Sequence, residues 1–430
     1  MKHTSFLFCL PLVFAAMIAL PHCSSDKTDD TTTALLQLLN TGSPPAISSG
    51  AYTVGGTVLG LRSFFSATQS VTLRDDISGE EITVESNGDF RFFGTYRPRT
   101  GYLVTVTGAT NQAVCAVANG TGNIAATDVS NVQVTCSTDI KYMVVGEFRK
   151  VYVSSNLTDW NHYNISGAGN INDVIYANGN FVAAGDAGKV YYSTDGLDWT
   201  VTNAGNRKLN GIAHDGVSRF VVVDGNNQSY YSVDGGKNWM GPTIVRGFGT
   251  GLLDVAHGNG LFFAVGPVPN NERLMHTASD GTSWGPSLTV NVSGGTTFNG
   301  NAGVAHGGGI YVNVGNDAIG YSLNGSSWSP ATSYSSTTLL RDVDYGNGRF
   351  VAVGGNSAPY EIRYSSDGDN WSNGSVTGTG TGSIMAVAHV GGTNWLATGT
   401  DLWKSTDNGN SWTLILNIAG GTTSGIAYKP

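Results

Sequence analysis

Carboxylates and imidazoles recur in this chain at repeating positions, and the repetition limits the chemistry they can do. His214, His257, His306 and His389 close four copies of a short segment typified by Gly211-Ile212-Ala213-His214, and tyrosine closes the other three. Three residues before that position stand Asp173, Gly211, Asp254, Gly303, Asp342, Ala386 and Gly425. If the copies form a ring, Asp173, Asp254 and Asp342 gather at one mouth of a central channel, where they could hold a hydrated cation or a polar ligand. The competing reading is that each carboxylate bonds a neighbouring backbone N–H, as buried polar groups usually do. The histidines sit one per copy and would not converge at metal-ligand distances. Tyrosine substitutes for them, so they read as a packed ring with one polar tip. A glycosidase needs two carboxylates about 5–9.5 Å apart across a cleft. Glu147, Glu272 and Glu361 are the only glutamates after residue 138, and nothing in their placement pairs them. No phosphate-binding glycine loop, zinc-spaced His/Cys set or nucleophile elbow is present. No catalytic residue, cofactor or metal is expected.

The elements that must position these residues follow from a longer period. Trp160, Trp199, Trp239, Trp284, Trp328, Trp371 and Trp412 follow one another at 39, 40, 45, 44, 43 and 41 residues. Each is preceded by a small residue, an Asp or Asn, and usually Gly; the acceptors are Asn156, Asp195, Asp234, Asp280, Asn324, Asp367 and Asp407. A period of this size marks a repeat architecture. Each unit adds a strand that opens on an aromatic, as in Phe350-Val351-Ala352-Val353-Gly354, and the segment that ends in His or Tyr. The first unit begins at Tyr142 and lacks that segment, while the chain stops after a lone copy, Gly425 to Tyr428. The spacing predicts an all-β fold: a seven-bladed β-propeller over residues 139–430, closed by a C-terminal strand that removes the free sheet edge.

The Asp-to-Trp phrase resembles the Asp-box, or BNR, repeat of sialidase-like, photosystem II assembly-factor-type, xyloglucanase and sortilin-type propellers. The likeness implies the propeller fold; those families share the box and differ in activity. Within the box the Asp or Asn oxygen can accept turn N–H groups, the Gly can adopt positive φ, and the Trp can bury its ring. Asn in two copies keeps the acceptor and loses the charge, which favours a structural role. Sialidase-like enzymes would use an arginine cluster, a Tyr–Glu pair and an Asp acid. No Arg-Ile-Pro-like motif stands near the start of the repeats, and a xyloglucanase-like cleft typically lies between two propellers.

Low charge content (12%) and 60 glycines suit short strands joined by tight turns, and the net charge of −9 argues against nucleic acid. Residues 1–22 read as a signal peptide. Leu20-Pro21-His22-Cys23 resembles the lipobox of bacterial lipoproteins, with His22 where a small residue is usual; the resemblance implies lipidation of Cys23. Residues 23–48 then form a flexible tether reaching about 30 Å. The expected location is the bacterial cell envelope, lipid-anchored on an outer-membrane, surface or periplasmic side, with membrane contact through the lipid alone. Residues 49–138 alternate in about seven short strands and resemble an Ig-like β-sandwich. In an exported chain Cys115 and Cys136 are expected to pair.

Two functions follow as expectations. One is a monomeric, non-catalytic binding scaffold whose propeller presents loops to a protein or glycan. The alternative is a glycan-acting hydrolase of sialidase-like or xyloglucanase-like type. The irregular loops are the contact candidates: Thr243 to Gly251 with Arg246 and Phe248, Pro267 to Arg273, Asn356 to Tyr360, and Ser375 to Ser383.

Overall fold

Tight turns chain the strands together. Asn178-Gly179, Asn259-Gly260 and Asn347-Gly348 have positive φ at both residues, the conformation two-residue hairpins need and Asn-Gly supplies best. A computed structural model describes residues 51–430 apart from 168, 246–250, 268–272, 287, 290–300, 316–318, 335–337, 356–359, 381 and 419. The signal peptide, Cys23 and the tether lie outside the described residues, as do Arg246 and Phe248.

From Tyr142 onward the described residues form seven sheets, antiparallel but for one strand. The second is representative: Ile171–Ala177, Asn180–Gly185, Lys189–Ser193 and Thr200–Asn203 pair in chain order. The first sheet is assembled from both ends of the segment. Its inner strand is the C-terminal Thr423–Tyr428, antiparallel to Tyr142–Gly146, with the Tyr142 and Tyr428 rings stacked at 5.4 Å. The seventh sheet carries a fifth strand: Ser375–Thr377 pairs in parallel with Ser411–Thr413. Part of the segment read as the irregular loop Ser375 to Ser383 is therefore a sheet edge. Among the described residues there is no α-helix, and the two short helical turns are Glu147–Arg149 and Asp186–Gly188.

The inner strands touch in series: Thr423–Tyr428, Ile171–Ala177, Leu209–His214, Asp254–Gly258, Asn301–Gly307, Leu340–Gly346, Ile384–His389, and again Thr423–Tyr428. This is a β-propeller. Its core lies between neighbouring sheets. Val351 and Val353 of the sixth sheet pack with Val387, Trp395 and Ala397 of the seventh. Ala386 and Leu396 of the seventh pack with Val144, Tyr152 and Ile426 of the first. Phe181, Phe220, Phe262, Tyr311, Phe350 and Trp395, which open or nearly open the second strands, are fully buried. Each such side chain contributes about 1.5–3 kcal/mol.

The described residues before Tyr142 form two four-stranded sheets. One orders Gly88–Arg91, Val54–Leu59, Val129–Ser137 and Val114–Ala118; the other Glu80–Val84, Val71–Asp75, Gly101–Ala109 and Thr121–Asn123. That is eight strands, against the about seven expected. Val54–Leu59 and Val129–Ser137 run parallel, and a Cβ at Gly56 would lie 1.7 Å from the Val132 carbonyl oxygen. Only glycine allows that approach. Cys115 and Cys136 face each other across adjacent strands and form a disulfide. The double sheet is tied to the first two propeller sheets. Arg62 bonds both Asp198 oxygens at 2.8 and 2.6 Å, the Phe65 N–H donates to His162 O at 2.9 Å, and Gln112 bridges Ser155 N–H and Asp159 O at 2.6 and 3.0 Å.

Candidate functional site

The inner strands begin with a fault that decides which side chains meet on the axis. In six sheets the register with the second strand slips by one residue: between Ile171 and Asp173, Leu209 and Gly211, Asn301 and Gly303, Leu340 and Asp342, Ile384 and Ala386, and Thr423 and Gly425. In the remaining sheet Leu253 N–H bonds the carbonyl of Val265, the residue that also faces Asp254. The extra residue in each case is Asn172, Asn210, Ala302, Arg341, Met385 or Ser424, with Leu253 in the equivalent place. A bulge re-aims a side chain. These seven residues, with Asp173, Asp254, Asp342 and Lys208, line a cavity of about 330 Å³.

The three sequence-singled aspartates therefore stand at the same cavity, but their oxygens are engaged. Asp173 accepts the N–H of Val174 at 2.7 Å and, across the gap to the next sheet, that of Ile212 at 3.0 Å. Asp254 does the same with Val255 and Val304 at 2.7 and 2.9 Å, and Asp342 with Val343 and Val387, both at 2.8 Å. Asp344, deeper on the same strand, repeats the pattern with Tyr345 and His389 at 2.7 and 2.8 Å. Each carboxylate is a staple between adjacent sheets. The small residues in alternate copies answer the same crowding. A Cβ on Gly425 would lie 2.8 Å from Asp173 Cα, and one on Gly303 2.9 Å from Asp342 Cα. Burial pushes Asp173 up to about 8, with the charge of Asp254 adding to it. Burial likewise raises Asp254 to about 6 and, with Asp254 nearby, lifts Asp342 well above the usual range. Among the described residues no His/Cys/Asp/Glu group could hold a metal ion.

Sequence reading reached the position next to the ring and missed the ring itself. Period-two alternation places Asp173 and the residue before it on opposite faces; a bulge cancels that rule. The available signal was a set of polar residues, Asn172, Asn210, Arg341 and Ser424, directly before the Asp-or-small position. Three of them hold the next sheet by a carbonyl: Ser424 to Ile171 at 3.2 Å, Asn172 to Leu209 at 2.8 Å and Asn210 to Leu252 at 2.6 Å. Arg341 is half-buried, and desolvation lowers its pKa.

The opposite end of the inner strands carries the His/Tyr positions. His214, His257, His306 and His389 pack on Phe220, Phe262, Tyr311 and Trp395 at ring distances of 4.4, 4.7, 4.3 and 5.1 Å. The Asp-to-Trp turns lie at this end too, since Phe181 faces both Tyr176 and Ser193. In these turns one oxygen does most of the work. Asp195 Oδ1 accepts the Leu197 and Asp198 N–H groups, both at 2.9 Å, and Asp280 Oδ1 those of Thr282 and Ser283 at 2.8 and 2.7 Å. Asp234 serves Lys237 and Asn238 at 3.1 and 2.9 Å, and Asp407 serves Ser411 at 2.9 Å. Asn156 and Asn324 make the same pairs of bonds, at 3.0 and 2.9 Å and at 2.9 and 2.8 Å. The indole N–H of Trp199, Trp239, Trp284, Trp328, Trp371 and Trp412 each finds an oxygen. That of Trp160 is buried without one; its turn has Leu157 at φ 65° where the other copies place glycine.

Among the loop candidates, Tyr360 is half-buried edge-on to Trp403 at 5.2 Å, and Arg273 opens the strand Arg273–Ala278. Of the glutamates, Glu147 accepts the Thr422 N–H at 2.9 Å and Glu361 pairs with Arg363 at 2.5 Å; Glu272 lies outside the described residues.

No family model matches the chain, and no curated protein matches its sequence. Solved structures with a similar fold include YCF48 from Cyanidioschyzon merolae, 15% identical over 58% of this chain and 87% of that one, TM-score 0.45. YCF48 bound to D1 peptide is 13% identical over 65% and 84%, at 0.44. The GH74 xyloglucanase from Xanthomonas campestris is 14% identical over 65% and 56%, at 0.47. At these values the likeness carries no functional argument.

Proposed function

We propose that the chain is a non-catalytic binding scaffold of the bacterial envelope. In this reading Cys23 carries the lipid and residues 23–48 are the tether. An Ig-like sandwich over residues 49–138 supports a seven-bladed Asp-box propeller, closed by Thr423–Tyr428. The propeller presents its channel mouth and surrounding loops to a protein or glycan partner.

The observation that supports binding over hydrolysis is the state of the acids around the cavity. Acid–base hydrolysis needs one carboxyl to donate a proton and another to act opposite it. Asp173, Asp254 and Asp342 give both oxygens to backbone N–H groups of two strands. Withdrawing either oxygen would strand a donor, at a cost of about 1–3 kcal/mol. Ring residues raised on bulges, by contrast, line the mouth, where a bulge re-aims side chains.

The test pairs two assays on the mature, lipid-bearing chain. A panel of chromogenic glycosides should show no turnover above the buffer rate. Protease shaving of intact cells followed by pull-down with the chain should recover a partner that the Asn210→Trp variant, blocked at the mouth, does not. Glycoside turnover that disappears in Glu361→Gln would replace this reading with the hydrolase.

A further inference from the structure

We propose that the rim of the channel mouth over the first three sheets binds an anionic polysaccharide. The inference rests on the scaffold reading above and narrows its partner to one class and one arc of the rim.

The arc begins at a turn whose residues break the local rule. Between the second and third strands of the first sheet, Phe148 and Arg149 both have positive φ, 57° and 59°. Asn-Gly supplies that conformation elsewhere in the chain, and the second sheet uses Ala187-Gly188 at the same place. A bulky side chain in the left-handed region is strained. Burial does not offset the strain, since Phe148 is 58% exposed. The turn is held by both neighbours: Phe148 N–H donates to Asn170 Oδ1 at 3.0 Å, and Glu147 accepts the Thr422 N–H at 2.9 Å. Asn170 and Thr422 directly precede two inner strands, so the ring of Phe148 stands at the rim. A strained, exposed aromatic fixed by its surroundings marks a contact site.

Cations continue the arc from sheet to sheet. Arg149 and Lys150 stand on the first, Lys189 on the second, and Arg207 and Lys208 just before the inner strand of the third. Arg149 and Lys150 bond the carbonyls of Ile165 and Gly420, both at 2.8 Å, and add charge. The side chains of Lys189, Arg207 and Lys208 form no hydrogen bond or ion pair among the described residues, and Arg207 and Lys208 are exposed. Gly188 N–H donates to the Arg207 carbonyl at 2.5 Å, which joins the second member of the arc to the third. The acids here are turned inwards. Asp186 gives its oxygens to Asn170 N–H and Asn172 Nδ2 at 2.9 and 3.0 Å, and Asp224 is fully buried. A chain of net charge −9 thus keeps a basic strip at the end opposite its Asp-to-Trp turns, and such a strip steers anions.

The form of the arc selects the ligand. Charges spread over three sheets suit a polymer with an anion on successive units better than one small anion. Segments 147–150, 164–170, 186–189 and 203–208 expose Asn164, Ser166, Asn203 and Asn206, and Phe148 is their one exposed large apolar side chain among the described residues. The apolar centre of a protein interface is therefore missing. An extended peptide needs an open sheet edge or side-chain pockets, whereas this arc is built of turns. A charged sugar chain needs an aromatic face for its apolar surface and cations for its carboxylates, and the arc offers both.

Binding of labelled polygalacturonate, neutral dextran and polyglutamate to the mature chain at neutral pH, read by fluorescence anisotropy, tests the proposal. Polygalacturonate should bind about tenfold more tightly than either of the others and lose affinity as salt rises. Reversing both exposed charges, Arg207→Glu with Lys208→Glu, should weaken it about tenfold with an unchanged melting transition. Phe148→Gly should weaken it about fivefold and leave the melting transition no lower, because glycine relieves the strained turn. Polyglutamate binding as tightly as polygalacturonate overturns the sugar class in favour of an acidic protein. No binding of polygalacturonate, or binding indifferent to the charge reversal or to Phe148→Gly, overturns the proposal outright. Glycoside turnover would instead remove the scaffold reading beneath it.

Discussion

The two ends of the propeller use the same residue for opposite electrostatic results. At the mouth, Asp173 and Asp254 accept two backbone N–H groups each and are pushed up to about 8 and about 6 by burial. At the turns, burial also acts on Asp367, but donors from Asn370, Asp369 and Ser365 outweigh it and bring its carboxyl down to about 2. The donor groups are alike; the surroundings are not. Mouth carboxylates are crowded with one another away from water, whereas turn carboxylates sit at the surface with extra side-chain donors. Oxygen usage differs too. A turn Asp serves the backbone through one oxygen, while a mouth Asp splits its two oxygens between two sheets. That fits Asn standing in two turns, at Asn156 and Asn324, and at none of the seven positions that Asp173, Asp254 and Asp342 share with small residues.

The sharpest way to break the comparison is to remove the strand that belongs to both ends. Deleting Ser424–Pro430 takes away a ring residue at the mouth and the stacked Tyr428 at the other end, and leaves Tyr142–Gly146 as an open edge. Loss of the monomeric, cooperatively melting species is expected by size-exclusion chromatography and calorimetry; an unaltered monomer would contradict ring closure. Next in size is the turn end alone. Trp412 is fully buried with its N–H bonded to Gly409 O at 3.0 Å, so Trp412→Ala should cost about 3–5 kcal/mol in chemical denaturation. Trp160→Ala, at a half-buried ring with an unbonded N–H, should cost clearly less.

A single-atom exchange then separates the ends. Asp342→Asn replaces one of two engaged oxygens by an NH2 group that cannot accept, leaving one backbone N–H unmatched; about 1–3 kcal/mol is expected. Asp367→Asn keeps the oxygen that serves Asp369 and Asn370 and should cost less than about 1 kcal/mol. Equal costs would show that oxygen usage is not what distinguishes them. A further difference lies in pH dependence. Acids raised in the fold, with an unfolded value near ~4, add stability that is complete below that value. It is lost as pH rises through about 6 for Asp254 and about 8 for Asp173. The lowered Asp367 adds stability present above ~4 and lost as pH falls towards about 2. Urea midpoints across pH should therefore flatten on the neutral side in Asp173→Asn and on the acid side in Asp367→Asn.

What could be read beforehand was local or periodic. The all-β propeller, the aromatic opening each second strand, and the return of Gly425 to Tyr428 beside Tyr142 all follow from spacing. The cavity ring was missed because a bulge turns Asn172 or Arg341 inwards against the alternation rule, and only the polar residues at that place pointed to it. Contacts between units were hidden for a different reason. Arg62 meets Asp198 across 136 positions, and Asp173 meets Ile212 on a neighbouring sheet; no window of sequence contains both partners. The opposed pKa shifts depend on those contacts and were hidden with them.

The staples impose a parity problem. Asp alternates with a small residue from one inner strand to the next, and seven is odd, so strict alternation cannot close on itself. The misfit falls where Ala386 of the last sheet meets Gly425 of the first, two small residues side by side with no carboxylate between them. Buried threonines take over there: Thr423 donates to Gly399 O at 2.9 Å and its hydroxyl meets that of Thr398. Other links without a carboxylate staple are likewise held by neutral groups, as Ser424 Oγ donates to Ile171 O at 3.2 Å and Asn210 Nδ2 to Leu252 O at 2.6 Å. Opening under force or denaturant should therefore begin at a link that no carboxylate staples.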